Sequence, residues 1–178
     1  DHRLIVATED RPDQASFHAA TPYRQLFRNG ATIFPRMLCY VQRENVGLLG
    51  QGHRIPIKSL RSSQEKEPWK NLNDVTGAVE REFVRVALLG ESIGPYRILQ
   101  MPEAIIPHDG EKLLCPEEAF ERGYQGLGEW METVSSVWES NKSSSFSFLE
   151  RINFYRALEN QFPASEKVVI FTASGTMP

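Results

Sequence analysis

The sequence predicts an α+β domain: a small mixed or antiparallel sheet with about four helices, built as a single unit. Three observations predict it. The 178 residues are 40% hydrophobic, enough for one well-filled core and too little for two. Runs rich in β-branched and aromatic residues mix with stretches of helical spacing, without the strict alternation that a parallel sheet requires. Aromatic residues make up 10% of the chain, which argues against wholesale disorder, and no apolar run approaches a bilayer-crossing length. No membrane partner and a cytoplasmic location are therefore expected. Two cysteines, Cys39 and Cys115, lie 76 residues apart and make no disulfide framework.

Residues 1–22 read as an N-terminal connection, with a short strand at Leu4 to Ala7, and residues 23–178 as the domain proper. Ala31 to Val41 (ATIFPRMLCYV) reads as strand, with Pro35 marking an edge or a bulge because it cannot donate to a ladder. Gly47 to His53 reads as a glycine-rich turn, Arg54 to Lys58 as a short strand and Arg61 to Lys70 as polar loop. Asp74 to Leu89 is predicted as a helix. Val75, Val79, Phe83, Val86 and Leu89 fall at helical spacing, Asn73 or Asp74 can cap the start, and Gly90 stands at the stop.

Gly94-Pro95 is then expected to turn the chain into strands at Tyr96 to Gln100 and Ala104 to Ile106. A second helix starts at Pro116, whose missing N–H is harmless there, with Glu117 and Glu118 favouring the dipole. A third carries Leu127, Trp130, Met131, Val134 and Trp138 on one stripe, the spacing of a core-facing helix. The fourth opens on Ser147-Phe-Leu-Glu150, a capping box, and is predicted to reach Gln161. Lys167 to Thr172 is expected to close the fold as a buried strand. A chain running from Asp1 to Pro178, six residues past that strand, reads as a piece of a larger protein, with processing of the N-terminus as the alternative.

The net charge of -3 conceals an uneven distribution. From Thr21 to Arg61 seven basic residues (Arg24, Arg28, Arg36, Arg43, Arg54, Lys58, Arg61) stand against Glu44 alone, a balance of +6. The remaining 13 basic and 22 acidic residues carry -9, and nine of those acids lie between Met101 and Ser140. Such asymmetry points either to a polyanion-facing surface or to internal pairing of the basic stretch with the acidic one. Cations neutralise phosphates and release counterions, while Arg, Asn and Gln also read base edges. The candidate DNA-binding residues are therefore Arg24, Arg28, Asn29, Arg43, Gln51, His53, Arg54, Lys58 and Arg61. Arg36, beside Pro35, is expected to be structural and paired with a carboxylate.

Catalytic chemistry is not signalled. His2, His18, His53 and His108 have no zinc-like spacing to one another or to a cysteine. There is no phosphate-binding G-x-x-x-x-G-K-[ST], no G-x-G-x-x-G and no G-x-S-x-G. No catalytic residue and no metal ligand is expected.

Three segments together carry a resemblance. They are GATIFPR (30–36) with the apolar run after it, FVRVALLGESIGPY (83–96) followed by Ile105-Ile106-Pro107, and LERINFYRALENQ (149–161) followed by KVVIFTASGT (167–176). In this order they resemble the region C-terminal to the catalytic domain in large bacterial N6-adenine DNA methyltransferases of restriction–modification systems, with or without a fused endonuclease. The resemblance spans about Tyr23 to Thr176. It implies a target-recognition domain whose partners are double-stranded DNA and the catalytic methyltransferase domain of the same chain. It implies S-adenosylmethionine as a cofactor of the parent enzyme, but none in this fragment. Enzymes of that class hold an extruded adenine with an Asn/Asp-Pro-Pro-aromatic motif, since the amino group is inaccessible in the stack. This chain has no Pro-Pro pair, so methyl transfer by it alone is not expected. The alternative is an interaction domain that docks on the catalytic part with little DNA contact.

Overall fold

The structure, a computed structural model, describes residues 28–45, 52–62, 65–164 and 168–170. The fold is α+β, as the composition and element mix predict. Seven strands are described: β1 (Tyr40–Arg43), β2 (Arg54–Ser59), β3 (Thr76–Glu80), β4 (Val84–Val86), β5 (Ile93–Gly94), β6 (Arg97–Ile98) and β7 (Glu103–Ile105). Five of them form an antiparallel sheet in the order β3-β2-β1-β7-β4, while β5 and β6 pair separately as a hairpin. The α-helices are α1 (Arg36–Cys39), α2 (Pro116–Glu121), α3 (Gln125–Asn141) and α4 (Phe148–Ile152). None of the described helices is long and apolar enough to cross a membrane.

Alternation fixes the faces of the sheet. In β2, Ile55, Ile57 and Ser59 are buried, whereas Arg54, Pro56 and Lys58 are half-exposed on the opposite side. The buried side meets α3, whose stripe of Leu127, Trp130, Met131, Val134 and Trp138 enters the core as its spacing predicts. Gly77 in β3 makes this possible, because a Cβ there would stand 3.2 Å from the Trp130 ring. Trp138 stacks on Trp69 with centroids 5.3 Å apart, and its indole N–H donates to the Phe146 carbonyl at 2.9 Å.

One buried carboxylate joins the two layers. Glu80, 2% exposed at the end of β3, accepts the backbone N–H groups of Gly126 (2.9 Å) and Leu127 (2.8 Å). These are first-turn amides of α3, whose own N-cap, Tyr124, supplies no side-chain bond. Gly126 allows the approach, since a Cβ there would come within 2.2 Å of the Ala78 carbonyl oxygen. The negative charge also sits at the positive end of the helix.

Several expectations are corrected. Asp74 to Leu89 is not helix but β3, a 3-10 turn at Arg81–Phe83 and β4. Positions 75, 79 and 83 are four apart, a spacing that serves period two as well as period 3.6, and the valines favour strand once β2 offers a partner. Ala31 to Val41 becomes irregular chain, then α1, with β1 beginning only at Tyr40. Pro35 precedes α1 through a cis Phe34–Pro35 bond instead of marking a strand edge.

Gly94-Pro95 lies inside a hairpin, so the strand expected from Tyr96 to Gln100 is only Arg97–Ile98. The fourth helix opens on the predicted capping box at Ser147 but stops at Ile152, because Tyr155 and Arg156 take left-handed φ of 52° and 57°. Of the final run expected to be a buried strand, the described residues Val168, Val169 and Ile170 are exposed and outside any strand. The strand expected at Leu4 to Ala7 and most of the Gly47 to His53 turn lie outside the described residues.

Candidate nucleic-acid interface

The candidate readers start from the strands that place them. Arg54 and Lys58, four apart on β2, share its outer side, where Gln42 of β1 is the register partner of Lys58. Arg43 ends β1, and Arg61 follows β2 closely. Each of these cations meets a carboxylate. Arg43 grips Glu103 with two hydrogen bonds, Nε to Oε2 at 2.8 Å and Nη2 to Oε1 at 2.5 Å. Arg54 Nε stands 3.1 Å from Glu80 Oε1. Lys58 Nζ lies 2.9 Å from Asp74 Oδ2, and Arg61 bonds the other oxygen of the same carboxylate. Arg61 also donates to the carbonyls of Trp69 (3.2 Å), Lys70 (3.0 Å) and Leu72, holding the 69–74 segment. Arg36 pairs with Glu91 at 2.8 Å, the carboxylate partner that its position suggested.

The electrostatic consequences follow from these pairs. Hydrogen bonds from Lys58 and then Arg61 hold the Asp74 carboxyl below its usual range, and Asp74 in turn raises the Lys58 ammonium. Glu103 likewise raises the Arg43 guanidinium. Such half-exposed pairs contribute modestly to stability. They also lower the charge available to an incoming phosphate.

The other candidates are placed elsewhere. Arg28 donates to the Asn160 carbonyl at 2.9 Å, and the Asn29 carbonyl accepts from Gln161 at 2.8 Å, so both lean on the segment after α4. Arg28 has no carboxylate partner among the described residues. His53 is exposed, and its carbonyl accepts the Arg81 N–H at 3.2 Å. Arg24 and Gln51 lie outside the described residues. Among the described residues the cations at 36, 43, 54, 58 and 61 are thus taken up in ion pairs, of which Arg43–Glu103 alone reaches into the acidic 101–140 stretch.

His108 is buried, stacks on Phe162 at 3.8 Å and accepts the Gly110 N–H on Nδ1 at 3.0 Å. Burial and then the nearby Arg85 push its imidazole below the usual value, favouring the neutral ring. Burial raises the thiols of Cys39 and Cys115, the reverse of an activated nucleophile. No cluster of three or more His, Cys, Asp or Glu among the described residues is arranged to hold a metal ion.

Two exposed sites escaped the charge reading. Tyr96, at the tip of the β5–β6 hairpin, is fully exposed with φ of 58°, and Tyr155 is 86% exposed with φ of 52°. Each is followed by an exposed arginine, Arg97 and Arg156. The Arg156 side chain pairs with Glu159 at 2.9 Å, whereas Arg97 makes no ion pair among the described residues. A signal was present, since Tyr-Arg-x-Leu occurs at 23–26, 96–99 and 155–158. The chain matches no family model, no curated protein and no solved structure.

Proposed function

We propose that this chain is a DNA target-recognition domain serving an S-adenosylmethionine-dependent adenine methyltransferase, and that it holds the duplex while another domain transfers the methyl group. The supporting observation is spatial. Described parts of all three segments that carry the resemblance, far apart in sequence, come together. The first leads into β1, the second supplies β4 and the first strand of the hairpin, and Ile105 ends β7, so they meet in the adjacent strands β1-β7-β4. Arg151 of the third segment lies over the Phe34 ring of the first, 5.4 Å from its centroid. The chain has no Pro-Pro pair to hold an extruded adenine, so no methyl-transfer step is assigned to its residues.

The test is duplex binding by the 178-residue chain across a salt series. Affinity should fall linearly in log–log form, and Arg28→Gln should make the slope shallower by about one. Absence of duplex binding even at low salt would overturn the reading.

A second reading, docking on a catalytic domain, is favoured by the paired state of the basic stretch. It is also favoured by the acids on α2 and α3: Glu117, Glu121, Glu129 and Glu132 are exposed and make no ion pair among the described residues. That face would repel phosphate and suit a basic protein surface. Measurable affinity for a separately produced methyltransferase domain, lost at high salt and independent of DNA, would select it.

A further inference from the structure

The β5–β6 hairpin stands apart from the five-stranded sheet and is closed by its own bonds. Ile93 pairs with Ile98 and Gly94 with Arg97, leaving Pro95-Tyr96 as a two-residue loop. Below it, the Leu99 N–H donates to the Ser92 carbonyl at 2.8 Å, and the buried Ser92 hydroxyl accepts the Leu89 N–H at 3.2 Å. Pro95 restricts the first loop position to negative φ, which excludes the primed turns that usually close such hairpins. The left-handed φ therefore falls on the second position, where glycine or asparagine is the unstrained choice. The chain places a tyrosine there instead.

That choice gives the fold nothing visible, because the Tyr96 ring is wholly in solvent. Close after it in the chain, Ile98, Leu99 and Met101 are all about half-exposed or more. Arg97 is exposed and has no carboxylate partner among the described residues, unlike the cations at 36, 43, 54, 58 and 61. The strain at Tyr96 is thus matched to a projecting aromatic ring beside an uncompensated positive charge.

Resting on the DNA-recognition reading, we propose that this hairpin is the element that enters a groove of duplex DNA, with Tyr96 stacking against a base step and Arg97 contacting the phosphate backbone. A two-stranded ribbon fits the major groove, and apolar wedges that part a base step are a recurrent way of gripping a bent duplex. An aromatic face serves any base, and the unpaired guanidinium supplies the complementary charge. A protein-docking surface is the competing occupant. A narrow two-stranded projection suits it poorly, since stable protein interfaces bury about 800 Å² on each partner around a dry centre.

The experiment compares the wild-type 178-residue chain with Tyr96→Ala, Tyr96→Phe and Arg97→Ala on one labelled duplex, by anisotropy over a salt series. A second duplex carries 2-aminopurine to report unstacking. Tyr96→Ala should weaken binding roughly ten-fold and abolish the 2-aminopurine signal, while Tyr96→Phe keeps both. Arg97→Ala should make the salt slope shallower by about one. Because neither side chain is buried, unchanged thermal melting should accompany every variant. Wild-type binding that Tyr96→Ala and Arg97→Ala leave unaltered would overturn the inference alone and return the hairpin to protein docking. Absence of wild-type binding would overturn the DNA reading with it.

Discussion

The basic stretch and the β5–β6 hairpin invert what their charges suggest. The first holds most of the positive excess, yet Arg36, Arg43, Arg54, Lys58 and Arg61 each have a carboxylate within ion-pair distance. The second contributes one arginine, and that arginine has no carboxylate partner among the described residues. Formal charge along a chain counts ionisable groups, whereas the field felt by a ligand depends on how many are already answered. A carboxylate 3 Å from a guanidinium cancels most of its reach beyond a few ångströms in salt water. The lesson is that a surplus of arginine can serve as internal stitching.

If that contrast holds, substitutions in the stitched region disturb folding first and substitutions in the hairpin disturb only binding. The largest effect is expected at Glu80. Glu80→Ala strands two buried amide donors at the start of α3 and leaves Arg54 without its partner. A loss of about 3 kcal/mol is expected in denaturant unfolding, from the two orphaned buried donors. A change below about 0.5 kcal/mol would show that the helix start finds other partners and would weaken the contrast.

An intermediate effect is expected at Asp74, which answers Lys58 and Arg61 together. Asp74→Asn should cost no more than about 1 kcal/mol, the scale of half-exposed pairs. Under the DNA reading it should also raise duplex affinity and steepen the salt slope, because two cations are released. Acid offers the same release without mutation. The Asp74 carboxyl is held below its ordinary value, so its stabilisation is fully present above the unfolded value of about 3.9 and is lost as pH falls through the lower, folded one. Melting temperature followed from pH 7 downward should therefore carry no Asp74 contribution to destabilisation until pH is below about 4. An earlier loss of the Lys58–Asp74 contact, read by the carboxyl resonance, would contradict the assignment.

The smallest effect on stability is expected at Arg97. Arg97→Ala should leave unfolding free energy within about 0.5 kcal/mol of the wild type. A larger loss would mean that the exposed guanidinium has a structural task.

Much of the scaffold was legible in the sequence. The stripe from Leu127 to Trp138, the proline-started helix at Pro116, the capping box at Ser147 and the alternation of β2 all express local rules that packing then obeys. The segment from Asp74 to Leu89 was misread because valines four apart satisfy two periodicities. Only a neighbouring strand decides between them, and that neighbour lies some twenty residues upstream. The candidate site was legible as charge and illegible as pairing. Nothing near Arg54 in sequence announces Glu80, nor does anything near Arg43 announce Glu103. The exposed tyrosines were hidden for a related reason, since left-handed backbone at a residue other than glycine is set by tertiary closure.

The Ser92 latch beneath the hairpin has a consequence for how such a domain can change. Because the ribbon is sealed below its tip, by Leu99 N–H to Ser92 carbonyl and by Ser92 hydroxyl to Leu89, residues 95 to 97 form an exchangeable cassette. New side chains can be tried at that tip while the sheet and its helices remain untouched. Under the DNA reading, novelty at the contact point and economy in the scaffold are then compatible, and a library confined to those three positions would sample new preferences without first having to rescue folding.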